Sequence, residues 1–223
     1  MRVFIISDTH FGHEAIIRYC NRPFTSVEEM DQTMIKRWNE TVSNNDIVIH
    51  LGDFALCGKD KTREIIQKLN GKKILIMGNH DNYSEQFYSD AGFHTVSRFP
   101  IIYDNFYMLS HAPLQLTETI GDNFIQVFGH MHDKGDECEI PGKSFCVSVE
   151  KTHYKPIELS SVKDILTHQL CTPKVLKAKQ VMELLHITRP TLCKYLKEGK
   201  IKAYSQINGQ YKYDANSIYK LLK

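Results

Sequence analysis

The chain has 223 residues, of which 42% are apolar and 24% charged, and a net charge of +2. This size and composition predict a globular protein with one main domain and a small appendage, and exclude a chain unable to bury a core. The longest apolar stretches are far too short to span a membrane, and Met1-Arg2 runs directly into an apolar segment, leaving no room for a signal peptide. We therefore expect a cytoplasmic protein.

The six cysteines form no C-x-x-C pair, so we expect reduced thiols. The charge is unevenly distributed. Residues 172–223 carry eleven Lys or Arg against three acidic residues, a net charge of +8, so the total of +2 leaves −6 for residues 1–171. An acidic domain followed by a basic segment suggests that the basic segment binds a polyanion.

Five short motifs in the first 132 residues end in side chains that bind metals. In chain order they are Asp8-x-His10, Gly52-Asp53, Gly78-Asn79-His80, Ser110-His111 and Gly129-His130-x-His132. Four directly follow apolar runs typical of buried strands, and such strands deliver their site residues at their C-terminal ends. A single one of these residues is more often a turn or capping residue. Five in series predict a metal site.

The segments between the motifs have helical spacing or turn composition. We predict helices over residues 13–20, 27–41, 62–69 and 161–170, with Ser26 and Glu29 forming a capping box. Asp104-Asn105 predicts a hairpin, and residues 133–144 a loop. This alternation of strands and helices indicates an α/β domain over residues 1–170.

After a linker at residues 171–174, the pattern changes. Residues 177–185 and 189–197 predict two helices, with Thr188 capping the second. Asn208-Gly209 predicts a hairpin, and Asp214 the start of a last short helix. We assign residues 174–223 to a second domain.

The five motifs resemble the signature of the calcineurin-like metallophosphoesterase superfamily, D-x-H, G-D, G-N-H-[DE], H and G-H-x-H, with every position filled within about residues 1–160. The resemblance implies a four-layer α/β/β/α sandwich. It also implies one metal held by Asp8, His10, Asp53 and His132, and a second held by Asp53, Asn79, His111 and His130. Asp53 would bridge the two.

Imidazole, carboxylate and amide ligands suit manganese, with iron, zinc or nickel as alternatives, better than calcium. Two such cations clamp a phosphoryl group and lower the pKa of a bridging water. His80 fits the role of general acid for the leaving group, and the resemblance implies that Asp81 orients it.

Other polar residues are weaker candidates. His13, Arg18 and Arg22 follow the first motif closely and could bind substrate, although a surface helix end is an equal alternative. His153 is a weaker candidate still. We expect structural or surface roles for the remaining histidines, His50, His94, His168 and His186.

The second domain resembles the MerR-like or excisionase-type winged helix-turn-helix domain that binds DNA. This implies base or backbone contacts from the second helix, at Arg189, Thr191, Lys194 and Tyr195, and phosphate contacts from Lys200, Lys202 and Lys212. Alternatively, this domain binds a protein partner or a second copy of the chain. The oligomeric state is open.

The sequence thus predicts a dinuclear-metal phosphodiesterase acting on nucleotide or nucleic-acid phosphoesters, with a DNA-binding module. The alternatives are a phosphomonoesterase or phosphoprotein phosphatase, or a DNA-binding regulator whose phosphoesterase domain only senses a ligand.

Overall fold

The computed structural model describes residues 1–115, 124–137, 139–140, 143–171, 175–207 and 210–221. The helices are α1 (Glu14–Tyr19), α2 (Val27–Thr41), α3 (Lys59–Lys68), α4 (Glu85–Ala91), α5 (Leu159–Cys171), α6 (Ala178–Leu185), α7 (Arg189–Lys197) and α8 (Ala215–Tyr219). The strands are β1 (Val3–Ile6), β2 (Ile47–His50), β3 (Lys72–Ile76), β4 (Thr95–Ser97), β5 (Ile101–Tyr103), β6 (Tyr107–Ser110), β7 (Ile125–Phe128), β8 (Ser144–Cys146), β9 (Ile157–Glu158), β10 (Val175–Lys177), β11 (Ala203–Ile207) and β12 (Gln210–Asp214).

Two sheets form the larger unit. The first has the order β4-β3-β2-β1-β9 and is parallel except for β9. The second has the order β5-β6-β7-β8, with β6, β7 and β8 parallel. Just beyond β1, Ser7 pairs in parallel with Ser148, so the two sheets meet where β1 and β8 end. The predicted α/β class with parallel sheets is confirmed.

Alternate residues of β1 serve two different cores, because successive side chains of a strand point to opposite faces. Phe4 and Ile6 pack with the helical residues Met34 and Trp38. Ile5 instead packs with Leu109 and Val127 of the second sheet, in a core that also holds residues of α5. Burial on both faces explains why these strands are almost continuously apolar. A helical layer on the outer face of the second sheet stays a prediction.

Several predicted elements are confirmed, with corrected ends. Helix α2 begins after Ser26, whose side chain accepts a hydrogen bond from the Glu29 amide, but the Glu29 carboxylate bonds to Thr25 rather than closing the capping box. Helix α3 begins at Lys59, three residues earlier than predicted. Asp104 and Asn105 both have positive φ, as a tight hairpin turn requires.

The segment after β7 was predicted as a loop, but its first part is a 3₁₀ helix over His132–Glu137. Pro141 and Gly142, on which the loop prediction relied, lie outside the described residues.

The chain divides into two compact units, Met1–Thr167 and His168–Lys223. The second has its own core around Leu176, Val181, Leu192 and Tyr213, and an antiparallel sheet of order β10-β12-β11. Strand β10 was not predicted, while α6, α7, the strand pair β11–β12 and α8 follow the predicted order. The predicted turn at Asn208-Gly209 and linker residues 172–174 lie outside the described residues. Within the described part of the chain, no helix is long and apolar enough to cross a membrane.

Candidate metal centre

The predicted ligands follow directly on five strands. Asp8 and His10 follow β1, Asp53 follows β2, Asn79 follows β3, His111 follows β6, and His130 and His132 follow β7. The structure gathers six of them into two groups, Asp8 with His10 and His132, and Asp53 with His111 and His130. Within each group the donor atoms lie within 4.8 Å of one another. Each group contains three of the four residues of one set that the resemblance implied; Asp53 is absent from the first group and Asn79 from the second.

Asp53 lies between the two groups. Its Oδ2 atom is 3.4 Å from Nε2 of His10 and 3.6 Å from Nε2 of His111, so one oxygen faces a histidine of each group. Its Oδ1 atom accepts a hydrogen bond of 2.8 Å from the His80 amide. Burial by itself would raise the pKa of Asp53, but the close His10 ring, the charge of His111 and the His80 amide hold that pKa well below its usual range. Asp53 is therefore a carboxylate at neutral pH.

The His10 ring fits a metal ligand. It is 1% exposed, yet neither ring nitrogen has a hydrogen-bond partner among the residues that the structure describes. A buried nitrogen without a partner costs about 1–3 kcal/mol. A cation coordinated by Nε2, on the side of Asp53, would remove part of that cost. The same ring packs against His80 and His132, with centroids 5.3 and 5.2 Å away.

His111 is held in one orientation by the main chain. Its Nδ1 atom lies 2.8 Å from the Leu51 carbonyl oxygen, which can only accept, so Nδ1 carries the proton. Its Nε2 atom then presents a lone pair 2.8 Å from Oδ1 of Asn79 and 3.1 Å from Nδ1 of His130. Burial and the neighbouring His111 lower the pKa of His130, which favours its neutral form. Lone pairs converging on one point suit a cation.

Asp8 is fully buried and accepts hydrogen bonds from the hydroxyl groups of Ser7 and Ser148 and from the amide of His130.

Two of the motifs require glycine because their main chain passes very close to the side chains of other residues. A Cβ atom on Gly129 would collide with Ser7 and Asp8, and one on Gly78 would collide with the Asp53 carboxylate. The Gly-His and Gly-Asn pairs thus bring main chain against ligand side chains.

Five predicted ligands have the left-handed backbone conformation, Asp8, His10, Asp53, His130 and His132, with φ between 49° and 68°. Non-glycine residues in this region cost on the order of 1–3 kcal/mol each and cluster at functional sites. Asp and His accept it more readily than most residues. The strand ends are therefore bent to aim these side chains inward.

The two predicted catalytic residues differ in environment. His80 is exposed, with its ring beside that of His10. Asp81 is buried, and its carboxylate accepts hydrogen bonds from the amides of Asp53, Phe54 and Gly78 and from the Tyr88 hydroxyl. Among the described contacts of Asp81, none joins it to the His80 ring. These hydrogen bonds hold the loop from which His80 projects, and the orientation of the His80 ring by Asp81 stays a prediction.

Arg22 was predicted to bind substrate, and this is a correction. Its side chain is fully buried, and it donates hydrogen bonds to the carbonyl groups of Asp8 and Thr9 and to the Glu150 carboxylate. No N–H group is left facing solvent to receive a phosphate. Its position near the first motif suggested that Arg22 lines the cleft. Position in the sequence alone does not reveal that the side chain is buried.

Glu150 was missed. It accepts a hydrogen bond from Nδ1 of His132 as well as from Arg22. Burial disfavours the charged ring of His132, but hydrogen bonds with Cys20 and Glu150 and the charge of Asp8 raise its pKa to about 10. A cation binding at this ring would displace one proton. The only available signal was the position of Glu150 at the end of the apolar run 145–149.

The remaining candidates lie around this centre or away from it. The His13 ring is half-buried, 5.5 Å from that of His10. Arg18 is exposed in the last turn of α1. His50 is buried between Trp38 and Phe54, and burial lowers its pKa to about 3, in keeping with the structural role expected of it.

In the second unit, all the predicted DNA contacts except the half-buried Thr191 and Tyr195 are exposed. Glu198 lies 2.9 Å from the ammonium group of Lys200 and 3.8 Å from that of Lys194. These two cations are therefore partly neutralised.

Comparisons with known proteins identify relatives of this chain. An uncharacterized protein of Methanocaldococcus jannaschii is 40% identical over 168 residues, which are 72% of this chain and 89% of that protein. The gene 66 protein of Mycobacterium phage L5 is 30% identical over 162 residues, covering 56% of this chain and 75% of that protein. A crystal structure of a protein of unknown function from Aquifex aeolicus, 26% identical, covers 74% of this chain and 98% of its own, with a TM-score of 0.60.

A family model described as calcineurin-like phosphoesterase matches residues 1–205, most of the chain. Members of this family are phosphoester hydrolases that use divalent metals. The chain belongs to the calcineurin-like phosphoesterase family.

Proposed function

We propose that the chain is a dinuclear-metal-dependent phosphodiesterase that acts on nucleotide or nucleic-acid phosphoesters. The observation that carries this proposal is the position of Asp53, whose Oδ2 atom faces a histidine of each donor group. Asp8, His10 and His132 would hold one cation with Asp53, and Asn79, His111 and His130 the other. When bound, two such cations neutralise phosphoryl oxygens and lower the pKa of a water.

Residues of the chain itself supply proton donation to the leaving group and contact with the substrate. The exposed His80 ring lies beside the centre and can donate a proton to the departing oxygen. The Asp53 carboxylate, which also binds the His80 amide, fixes the main chain from which that ring projects. We propose that His13, whose ring centroid lies 5.5 Å from that of His10, contacts a substrate oxygen.

A cleft of about 210 Å³ adjoins Asn79 and His111 and is lined partly by the apolar residues Ile76, Met77 and Leu114. It is smaller than the pockets that enclose drug-sized ligands, which begin at about 300 Å³. We infer that it receives only part of a substrate, such as a single base or its sugar, while the rest lies outside.

For the second unit we propose nucleic-acid binding. The exposed residues Lys177 and Lys212 lie directly opposite each other on β10 and β12. Like charges in register destabilise a sheet, and a polyanion offsets that repulsion. Together with the net charge of +8 over residues 172–223, this pair favours a nucleic-acid backbone over an acidic or apolar protein surface.

Chromogenic substrates test the catalytic proposal. With Mn²⁺ added, bis(p-nitrophenyl) phosphate should be hydrolysed faster than p-nitrophenyl phosphate, and EDTA should abolish both rates. Turnover of the monoester alone would favour a phosphomonoesterase. No turnover of either ester, or of a nucleotide or single-stranded DNA, while DNA binding persists, would favour the sensor alternative.

A further inference from the structure

A buried ionic cluster lies behind the first donor group. The side chains of Arg22 and Glu150 are 0% and 6% exposed, and their nearest charged atoms are 2.7 Å apart. The two residues are 128 positions apart in the sequence. Ion pairs this deeply buried seldom increase net stability, because desolvation offsets the attraction. The position of the pair beside His132 suggests a functional reason for it.

The hydrogen bonds of Glu150 are unevenly shared between its two oxygens. Oε1 accepts a hydrogen bond of 2.9 Å from Nε of Arg22, forms an ion pair of 2.7 Å with Nη2 of the same side chain, and lies 3.1 Å from Nδ1 of His132. Oε2 is buried and has no hydrogen-bond partner within the described part of the chain. An arginine and a carboxylate that bind only each other frequently pair through both carboxylate oxygens. Here the carboxylate is turned so that the oxygen bound by Arg22 also receives His132.

This arrangement selects one nitrogen of His132. Because Nδ1 donates its proton to the carboxylate, Nε2 is the nitrogen left to coordinate a cation with Asp8 and His10. A carboxylate on the far nitrogen fixes the ring's orientation and makes it a stronger ligand. Arg22 also donates to the carbonyl oxygens of Asp8 and Thr9, at 2.7 and 2.9 Å. One guanidinium group therefore ties the main chain of Asp8 to the residue that holds His132.

We propose that Glu150, anchored by Arg22, is a positioning residue that orients His132 toward Asp8 and His10 and sets the metal affinity of that one position. The proposal rests on the dinuclear centre proposed above. Cys20, His132 and Glu150 have donor atoms close enough to form a separate metal site. The guanidinium 2.7 Å from Glu150 opposes a cation there, so we assign the cluster to support of the first donor group.

Metal titration of the full-length chain tests this role without an activity assay. The chain is titrated with Mn²⁺, and free Mn²⁺ is counted by electron paramagnetic resonance. The wild-type chain should bind two ions. Glu150→Gln should bind one with unchanged affinity and the other on the order of 10–100-fold more weakly, as found when a carboxylate supporting a metal-bound histidine is removed.

Two further variants control for folding. Glu150→Asp keeps the charge but withdraws the oxygen from His132, so it should weaken the same position even if Glu150→Gln unfolds. Glu139→Gln alters another carboxylate with similarly low exposure. Among the described residues Glu139 bonds to Lys151 and the Cys146 amide but to no predicted ligand, so this variant should bind both ions like the wild type. Thermal unfolding followed by circular dichroism identifies which variants are folded.

The outcomes are distinguishable. Wild-type affinity at both positions in a folded Glu150 variant overturns the role of Glu150 and leaves the dinuclear centre standing. Equal weakening of both positions also overturns it. A third ion that is lost on Cys20→Ser supports the separate site instead. A wild-type chain that binds fewer than two ions overturns the dinuclear centre itself, and the present inference with it.

Discussion

In this protein, the spatial contacts of a single side chain constrain it more than its position along a strand does. Asp53 is the clearest case, since one of its oxygens faces both donor groups and the other holds the His80 amide. Because Asp53 makes these three contacts, we expect any substitution at this position to alter the metal centre.

Asp53→Asn should lower both metal content and turnover by orders of magnitude, because an amide cannot supply the negative charge shared by two cations. Elemental analysis of the purified variant, alongside its rate on a diester, measures both effects. Asp90→Asn, an exposed surface change, is the control. Two metals per chain with unchanged activity in Asp53→Asn would contradict the bridging role.

His80→Ala should keep both metals and lower kcat for substrates with poor leaving groups. The decrease should be smaller for nitrophenolate esters, which depart with little need of a proton. Rates on one activated and one unactivated diester, with metal content measured in parallel, separate the two effects. Equal losses on both substrates, or a loss of metal, would argue against proton donation by His80.

At the scale of whole elements, the ends of β2 and β3 are joined by one buried carboxylate. Asp81 accepts amide hydrogen bonds from Asp53 and Phe54 after β2 and from Gly78 after β3. It thereby fixes the spacing between the strand ends that carry two ligand loops.

Asp81→Asn should therefore destabilise the metal-free chain by roughly 1–3 kcal/mol, since an amide nitrogen would face main-chain donors that then lose their acceptor. Thermal or urea unfolding in EDTA measures the change, with Asp90→Asn again as the surface control. If the two variants unfold alike, the loops are held by other contacts.

The sequence predicted the strands that lead into the metal motifs, the order of the motifs and most helix positions, because those depend on local periodicity and on turn residues such as Asp104-Asn105. Helix α4 and strands β4 and β9 were not predicted. The prediction failed where burial and long-range contact decide. Arg22 and Glu150 are far apart in the chain, and nothing near either indicates that they pair. Strand β10 was missed because three residues, Val175–Lys177, form a strand only by pairing with β12. The pattern of a single sequence does not show which residues far apart in the chain will pair.

At the scale of the molecule, all the predicted metal ligands lie in Met1–Thr167, and the basic segment supplies most of the second unit. Each unit has its own core. Chemistry and nucleic-acid binding should therefore be separable by mutation.

In the full-length chain, Lys200→Glu with Lys212→Glu should weaken duplex DNA binding to all sequences alike and reduce its salt dependence, because phosphate contacts release counterions. Hydrolysis of a small diester should be unchanged. Gel shift over a salt series and a chromogenic assay measure the two. Lys36→Glu, an exposed charge reversal in the first unit, is the control. Unchanged DNA binding would favour a protein partner for the second unit.

The residues of the metal centre that have the left-handed backbone conformation support activity at a cost in stability. Each is a place where the chain accepts unfavourable backbone geometry in order to aim a ligand, and glycine would relieve that cost without a side chain to aim. Random variants selected only for resistance to heat, in the absence of metal, should therefore accumulate glycine at positions 10 and 130. Asp8 and Asp53 should stay, because their carboxylates accept hydrogen bonds from main-chain amides, and His132 should stay because its ring bonds to Glu150. The same selection with phosphoester turnover required should leave all five unchanged. Positions recovered in the first experiment and forbidden in the second would map the catalytic centre without any structural information.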